Sequence, residues 1–174
     1  MRRLTIVQGE QAMGHEPGIA ITTVLGSCIA VCLVDPVRRQ GGMNHFLLGD
    51  PGDTPLAAHE LQRYGVHAME LLVNALMRVG SARPNLRAHL YGGATMIAGL
   101  GDIGARNILF ARNFLHTEGI EVRHENVGGN LARRVEFLPY EGRSRCRTVD
   151  QPVPVQLPAA VRDLPGNAGE LELF

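Results

Sequence analysis

Two residues in this chain can do nucleophilic chemistry together. Cys28 closes the run Thr22-Thr23-Val24-Leu25-Gly26-Ser27-Cys28, and His45 closes Gly41-Gly42-Met43-Asn44-His45. A thiol becomes a carbonyl nucleophile when a tight turn exposes it, backbone N–H groups lie beside it and a base can take its proton. Gly26-Ser27-Cys28 has turn chemistry, and the N–H groups of that turn are candidates for an oxyanion hole. His45 is the candidate base. An imidazole that works as a base needs a third group to hold its ring, and Thr22 or Thr23 on the preceding strand can supply a hydroxyl. Side chains alternate along a strand, so only one of the two threonines faces the ring.

Such a pair has to be positioned by the segment between them. Asp35-Pro36-Val37-Arg38 carries type I turn chemistry, with aspartate first and proline second. If it closes a two-residue hairpin, Val34 pairs with Arg39 and Cys28 falls directly opposite His45. Directly opposed Cβ atoms stand roughly 4.5–5.5 Å apart, within reach of a thiol–imidazole hydrogen bond. Tight hairpins favour the mirror-image turns over type I, and a longer loop would shift this register. Two other readings compete. A cysteine in an apolar strand is often an inert small hydrophobe. Cys32 also shares a strand face with Cys28, which opens a metal site with His45, but the spacing matches no standard zinc motif and no fourth ligand is evident.

The remaining pattern predicts an α+β fold of mixed or antiparallel sheet layers flanked by helices. Strands are expected at 3–8, on both sides of Gly26, at 86–93, 120–127, 131–139 and 142–149, with loop at 9–20 and 49–56. Thr54-Pro55 reads as a helix start and Gly80 as its stop; Asp102 and Gly119 bracket a second helix over 103–118. From residue 151 the chain turns proline-rich, so 1–150 is expected to be a single catalytic domain and 151–174 a solvated tail.

Composition excludes several classes. Apolar residues make up 45%, charged residues 20%, and the formal net charge is zero, so neither nucleic acid nor a membrane surface is an evident partner. Every basic residue is arginine, which suits carboxylate partners through bidentate pairing. No run is long and apolar enough to span a bilayer, and the N-terminus lacks the apolar core of a signal peptide. Three cysteines suit a reducing compartment better than a disulfide framework, so a cytoplasmic location is expected, with a monomer as the default state. Tyr91-Gly92-Gly93-Ala94 and Gly128-Gly129 read as plain turns. His89, before a glycine turn, is the most noticeable of the other histidines. Arg133, Arg134, Arg143, Arg145 and Arg147 fall on adjacent strands and can form a basic strip.

Several blocks occur in an order that resembles the chemoreceptor glutamine deamidase family of bacterial chemotaxis, CheD. They are the threonine six residues before the cysteine, L-G-S-C-I-A-V-C-L-V-D-P (25–36), G-G-M-N-H-F-L-L (41–48), A-H-L-Y-G-G-A (88–94), I-G-x-R-N (103–107) and V-G-G-N (127–130). The resemblance spans roughly 4–148. It implies a Cys-His-Thr enzyme with Cys28, His45 and Thr22 in those roles, which selects Thr22 over Thr23, and a fold similar to toxin-like cysteine hydrolases. It also implies deamidation of particular glutamines on the cytoplasmic domain of methyl-accepting chemoreceptors, glutamyl methyl ester hydrolysis, no cofactor, and in some members a CheC-type phosphatase partner. Gly49, where a proline often stands, and Asn126, where an acidic residue often stands, depart from the pattern. The rival functions are a non-catalytic module that binds the phosphatase or the receptor, and a generic cysteine hydrolase of small amides.

Overall fold

A computed structural model describes residues 1–48, 55–97 and 102–150. Nine strands are described: β1 (Arg2–Thr5), β2 (Gln11–Gly14), β3 (Ile19–Leu25), β4 (Ile29–Asp35), β5 (Gln40–Phe46), β6 (Arg87–Gly92), β7 (Glu121–Val127), β8 (Ala132–Leu138) and β9 (Arg143–Val149). They form a five-stranded sheet in the order β2-β5-β4-β6-β7 and a four-stranded sheet in the order β1-β3-β8-β9. The pairs β1–β3 and β6–β7 are parallel and the others antiparallel, so both sheets are mixed. Among the described residues two α-helices, α1 (Pro55–Arg78) and α2 (Ile103–Thr117), complete the α+β fold.

Strand β4 explains the layering. All seven of its residues are buried, because both of its faces are covered. Ile29, Val31 and Leu33 point to one side and pack with Leu72, Leu76, Ile108 and Leu115 from the two helices. Ala30, Cys32 and Val34 point to the other side and meet Ile21, Leu25, Val135 and Phe137 of the four-stranded sheet. The order of layers is helices, five-stranded sheet, four-stranded sheet. The period of two along a strand turns one apolar run into the centre of two cores.

The hairpin differs from the expected register. Asp35 pairs with Gln40 and His45 with Ala30, leaving a four-residue loop at 36–39. Asp35 Oδ1 accepts the N–H groups of Val37 and Arg38, and Arg39 adopts a left-handed φ of 55°. A type I turn followed by a left-handed residue needs this longer loop, since the type I twist does not fit a two-residue connection. A further strand, β2, lies inside the segment expected as loop. It is a short edge strand with a polar start and no apolar alternation to betray it.

Helix ends follow local chemistry. Gly119, at φ 68°, ends α2: Ile120 N–H reaches Leu115 O and Gly119 N–H reaches His116 O, the paired bonds of a Schellman cap. Asp102 stands at the N-cap of α2, but its side chain makes no capping bond; only its carbonyl serves, accepting Arg106 N–H. The Thr54 cap, Gly49 with the rest of the expected loop up to residue 54, and the 151–174 tail lie outside the described residues. Among the described residues no helix is long and apolar enough to cross a membrane.

Candidate active site

The chain crosses from one sheet to the other through Gly26-Ser27-Cys28, the link between β3 and β4. Three donors fix the carbonyls of this turn. Ala94 N–H bonds Gly26 O at 2.9 Å, Asn107 Nδ2 bonds Ser27 O at 2.9 Å, and Gly93 N–H bonds Cys28 O at 2.8 Å. The glycine turn after β6 is therefore a clamp on the cysteine turn. At Gly92, with φ 108°, any Cβ would collide with the Cys28 carbonyl. The Gly128-Gly129 turn backs it up: Gly128 N–H bonds Gly92 O, and Thr95 N–H bonds Gly129 O.

His45 stands on β5 opposite Ala30, two positions along from Cys28. A shift of two residues keeps the face unchanged, so the imidazole and the thiol still share the inter-sheet side. Cys28 packs against the same cluster as Ala30, Cys32 and Met43. The segment Ile6–Glu10 wraps the histidine backbone, with Gly9 N–H on His45 O at 2.8 Å and His45 N–H on Glu10 O at 3.0 Å.

The ring is held by Thr23, not by Thr22. Thr23 Oγ1 lies 2.8 Å from His45 Nδ1, in the buried space between the sheets. Thr22 points to the opposite face of the same strand, where its hydroxyl meets that of Thr5 at 3.1 Å. Strand alternation forces this choice, and pairing of β3 in the four-stranded sheet decides which threonine faces inward. The assignment to Thr22 is thus corrected on geometric grounds.

The Thr23 hydroxyl also fixes the tautomer. It lies 2.8 Å from Ile6 O, and a carbonyl can only accept, so the hydroxyl proton goes there. Toward His45 the hydroxyl must then accept, which places the ring proton on Nδ1 and a lone pair on Nε2. That Nε2 is buried and has no hydrogen-bond partner among the described residues. Burial pushes His45 down to about 4, with the charge of Glu10 pulling the other way. The imidazole is therefore neutral at physiological pH, as a base must be.

Cys28 is half-buried. Burial pushes its thiol up to about 11, while its own backbone N–H works in the opposite direction. At rest the thiol donates to Gln8 Oε1 at 3.6 Å, rather than to His45. Both shifts favour the neutral forms, thiol and imidazole, over thiolate and imidazolium. Gln8 escapes a motif search, since it carries no titratable group and sits in a loop 20 residues upstream.

The other candidates resolve differently. Cys32 is fully buried in the core, remote from solvent, and no group of three His, Cys, Asp or Glu side chains among the described residues is arranged to hold a metal ion. His89 Nδ1 and the Tyr91 hydroxyl both meet Ser144 Oγ, at 2.7 and 2.6 Å, a polar tie between the sheets. Arg133 does not join the basic strip: it turns inward and bonds Asn126 Oδ1, Leu131 O and Gly128 O. Arg134, Arg143, Arg145 and Arg147 remain exposed.

A three-layer α+β fold thus brings a cysteine, a tautomer-locked histidine and a turn of fixed carbonyls to one face, an arrangement that a hydrolase can use. Residues 47–148 match the family model described as CheD chemotactic sensory transduction. The chain is 48% identical to the probable chemoreceptor glutamine deamidase CheD of Zymomonas mobilis, over 99% of this chain and 93% of that protein. It is 46% identical to the like-named protein of Acidiphilium cryptum, over 99% of this chain and 94% of that one. The chain belongs to the CheD family. Among solved structures it is similar to the Bacillus licheniformis hypothetical protein YfiH, with a TM-score of 0.44 and 13% identity over 71% of this chain and 58% of that one.

Proposed function

We propose that this chain deamidates glutamine side chains of chemoreceptors, releasing ammonia, with Cys28 as nucleophile and His45 as base. The free, buried Nε2 lone pair of His45, aimed by Thr23 on the face that Cys28 shares, carries this reading. The relatives' activity supplies the substrate class. In the first half-reaction Nε2 takes the thiol proton as Sγ attacks the side-chain carbonyl carbon. The Thr23 hydroxyl accepts from Nδ1–H and stabilises the imidazolium that forms. The Cys28 backbone N–H, already beside the sulfur, holds the oxyanion. When the tetrahedral species collapses, the C–N bond breaks and the imidazolium gives its proton to the departing ammonia.

In the second half-reaction a water loses a proton to Nε2 and attacks the thioester carbon. The C–S bond breaks and the proton returns to sulfur, leaving glutamate. Because thiol and imidazole are both neutral at rest, the proton moves only as the substrate carbonyl arrives, and Gln8 must yield the thiol at that moment. A glutamyl methyl ester enters by the same route with methanol leaving. The family resemblance implies the cytoplasmic domain of the receptor as the substrate region, and with it a cytoplasmic site of action. A CheC-type phosphatase is the second partner the family resemblance implies. Each turnover replaces a neutral amide by a negative charge, which adds repulsion among neighbouring glutamates on a receptor helix.

Ammonia release from a chemoreceptor cytoplasmic fragment, compared with free glutamine, tests the substrate class. Release from the fragment with little from free glutamine, lost in His45→Ala, is expected. Equal turnover of free glutamine would overturn the protein-substrate assignment.

A further inference from the structure

Of the three carbonyls in the Gly26-Ser27-Cys28 turn, two are held by backbone N–H groups and the middle one by a side chain. That side chain is Asn107 on α2, fully buried. Its two hydrogen bonds settle its own orientation. Ser27 O can only accept, so the group facing it at 2.9 Å is Nδ2; Leu48 N–H can only donate, so the group facing it at 3.0 Å is Oδ1. One carboxamide thus joins the cysteine turn to the chain three residues past His45. The two sites are 80 and 59 residues away in sequence.

The middle carbonyl is special because its peptide N–H belongs to Cys28. In a trans peptide C=O and N–H point in opposite directions. Pulling Ser27 O toward α2 therefore turns Cys28 N–H away from α2 and toward the sulfur, where the oxyanion would form. A donor on the carbonyl also polarises the peptide and makes its N–H a stronger donor. We propose that Asn107 is a positioning residue for catalysis: through the Ser27 carbonyl it aims the Cys28 N–H at the oxyanion, and through Leu48 N–H it keeps the His45 strand in register with that turn. This rests on the Cys28 mechanism proposed above.

Asn107→Asp separates aiming from scaffolding. It keeps an acceptor for Leu48 N–H, but an ionised carboxylate has no proton for Ser27 O. A neutral carboxyl does have one. Receptor-fragment deamidation by Asn107→Asp is expected to fall about 10²–10³-fold in kcat at alkaline pH, with KM changed little. The rate then recovers toward that of wild type as the pH is lowered and the buried carboxyl protonates. Asn107→Ala, with no donor and no charge, loses kcat at every pH and shows no such recovery. Alkylation of Cys28 by iodoacetamide displaces iodide and forms no oxyanion, so in Asn107→Ala its rate falls far less than kcat, losing only the thiolate stabilisation that the Cys28 N–H supplies.

All assays are run below each variant's melting temperature. A pH profile of Asn107→Asp that parallels wild type, or kcat within threefold of wild type in Asn107→Ala, overturns the proposal. So does a parallel fall of alkylation and kcat, which marks a merely structural role. A wild-type protein that releases no ammonia from receptor fragments instead removes the functional reading itself, so the two failures are distinct.

Discussion

The hydroxyl of Thr23 lies 2.8 Å from Nδ1 of His45 and 2.8 Å from the carbonyl oxygen of Ile6, and the second contact dictates the direction of the first. A threonine that must donate to a carbonyl can only accept from the imidazole. The ring is thereby locked as the Nδ1–H tautomer with Nε2 free. Thr23→Val removes the lock and leaves a buried ring N–H unpaired, a loss of roughly 1–3 kcal/mol that corresponds to about a 5–150-fold fall in kcat. Thr22→Val, on the outer face, is expected to keep kcat within about twofold of wild type, as surface changes do. Steady-state deamidation rates for the two variants check this; the reverse order would return the role to Thr22.

Gln8 accepts the thiol proton of Cys28 at rest. Gln8→Ala removes that acceptor and opens the sulfur, so the iodoacetamide alkylation rate at Cys28 is expected to rise. A large fall in kcat with unchanged alkylation would instead make Gln8 a donor to the oxyanion.

The pH dependence follows from the two shifts. His45 is depressed to about 4, so it remains an unprotonated base down to that pH, and kcat/KM should show its acid limb near 4 and no limb near 6.5. Alkylation should climb with pH toward the thiol value of about 11. Stability moves in the same sense. The unfolded histidine takes up a proton near 6.5, and the folded one resists until about 4. Stability from the neutral ring is thus complete above about 6.5 and lost as pH falls toward 4, on the order of 3 kcal/mol. Denaturant melts of wild type and His45→Gln between these values measure it.

Arg134 and Arg147 face each other across β8 and β9, like charges in direct opposition. Neither has an acidic partner among the described residues, whereas Arg3 and Arg145 share Glu136. Reversal of both charges is expected to raise KM for an acidic receptor fragment roughly tenfold at low salt, with kcat unchanged. An unchanged KM would remove this face from receptor binding.

Much of the site is legible in the residue types. Cys28 stands out because the chain has few cysteines and a glycine turn precedes this one, and His45 because the hairpin register brings it to the same face. Their shared face survives an error of two in register, since any even shift preserves it. The threonine is not legible at that level: Thr22 and Thr23 are chemically equal, and only the pairing of β3 with β1 and β8 tells inside from outside. Strand β2 is hidden because an edge strand of four residues needs no apolar face. Asn107 and Gln8 are hidden for another reason. Both are uncharged amides whose function comes from contacts remote in sequence, which no local spacing encodes.

The nucleophile is the central claim, and intact-mass spectrometry tests it most directly. A chemoreceptor cytoplasmic fragment is incubated with wild-type protein and, in parallel, with Cys28→Ala. Conversion of each modified glutamine to glutamate adds about one mass unit, as the amide NH2 is replaced by OH. That gain is predicted with wild type and not with Cys28→Ala. The same gain with both proteins would contradict the account, because the reaction would then not pass through the Cys28 sulfur.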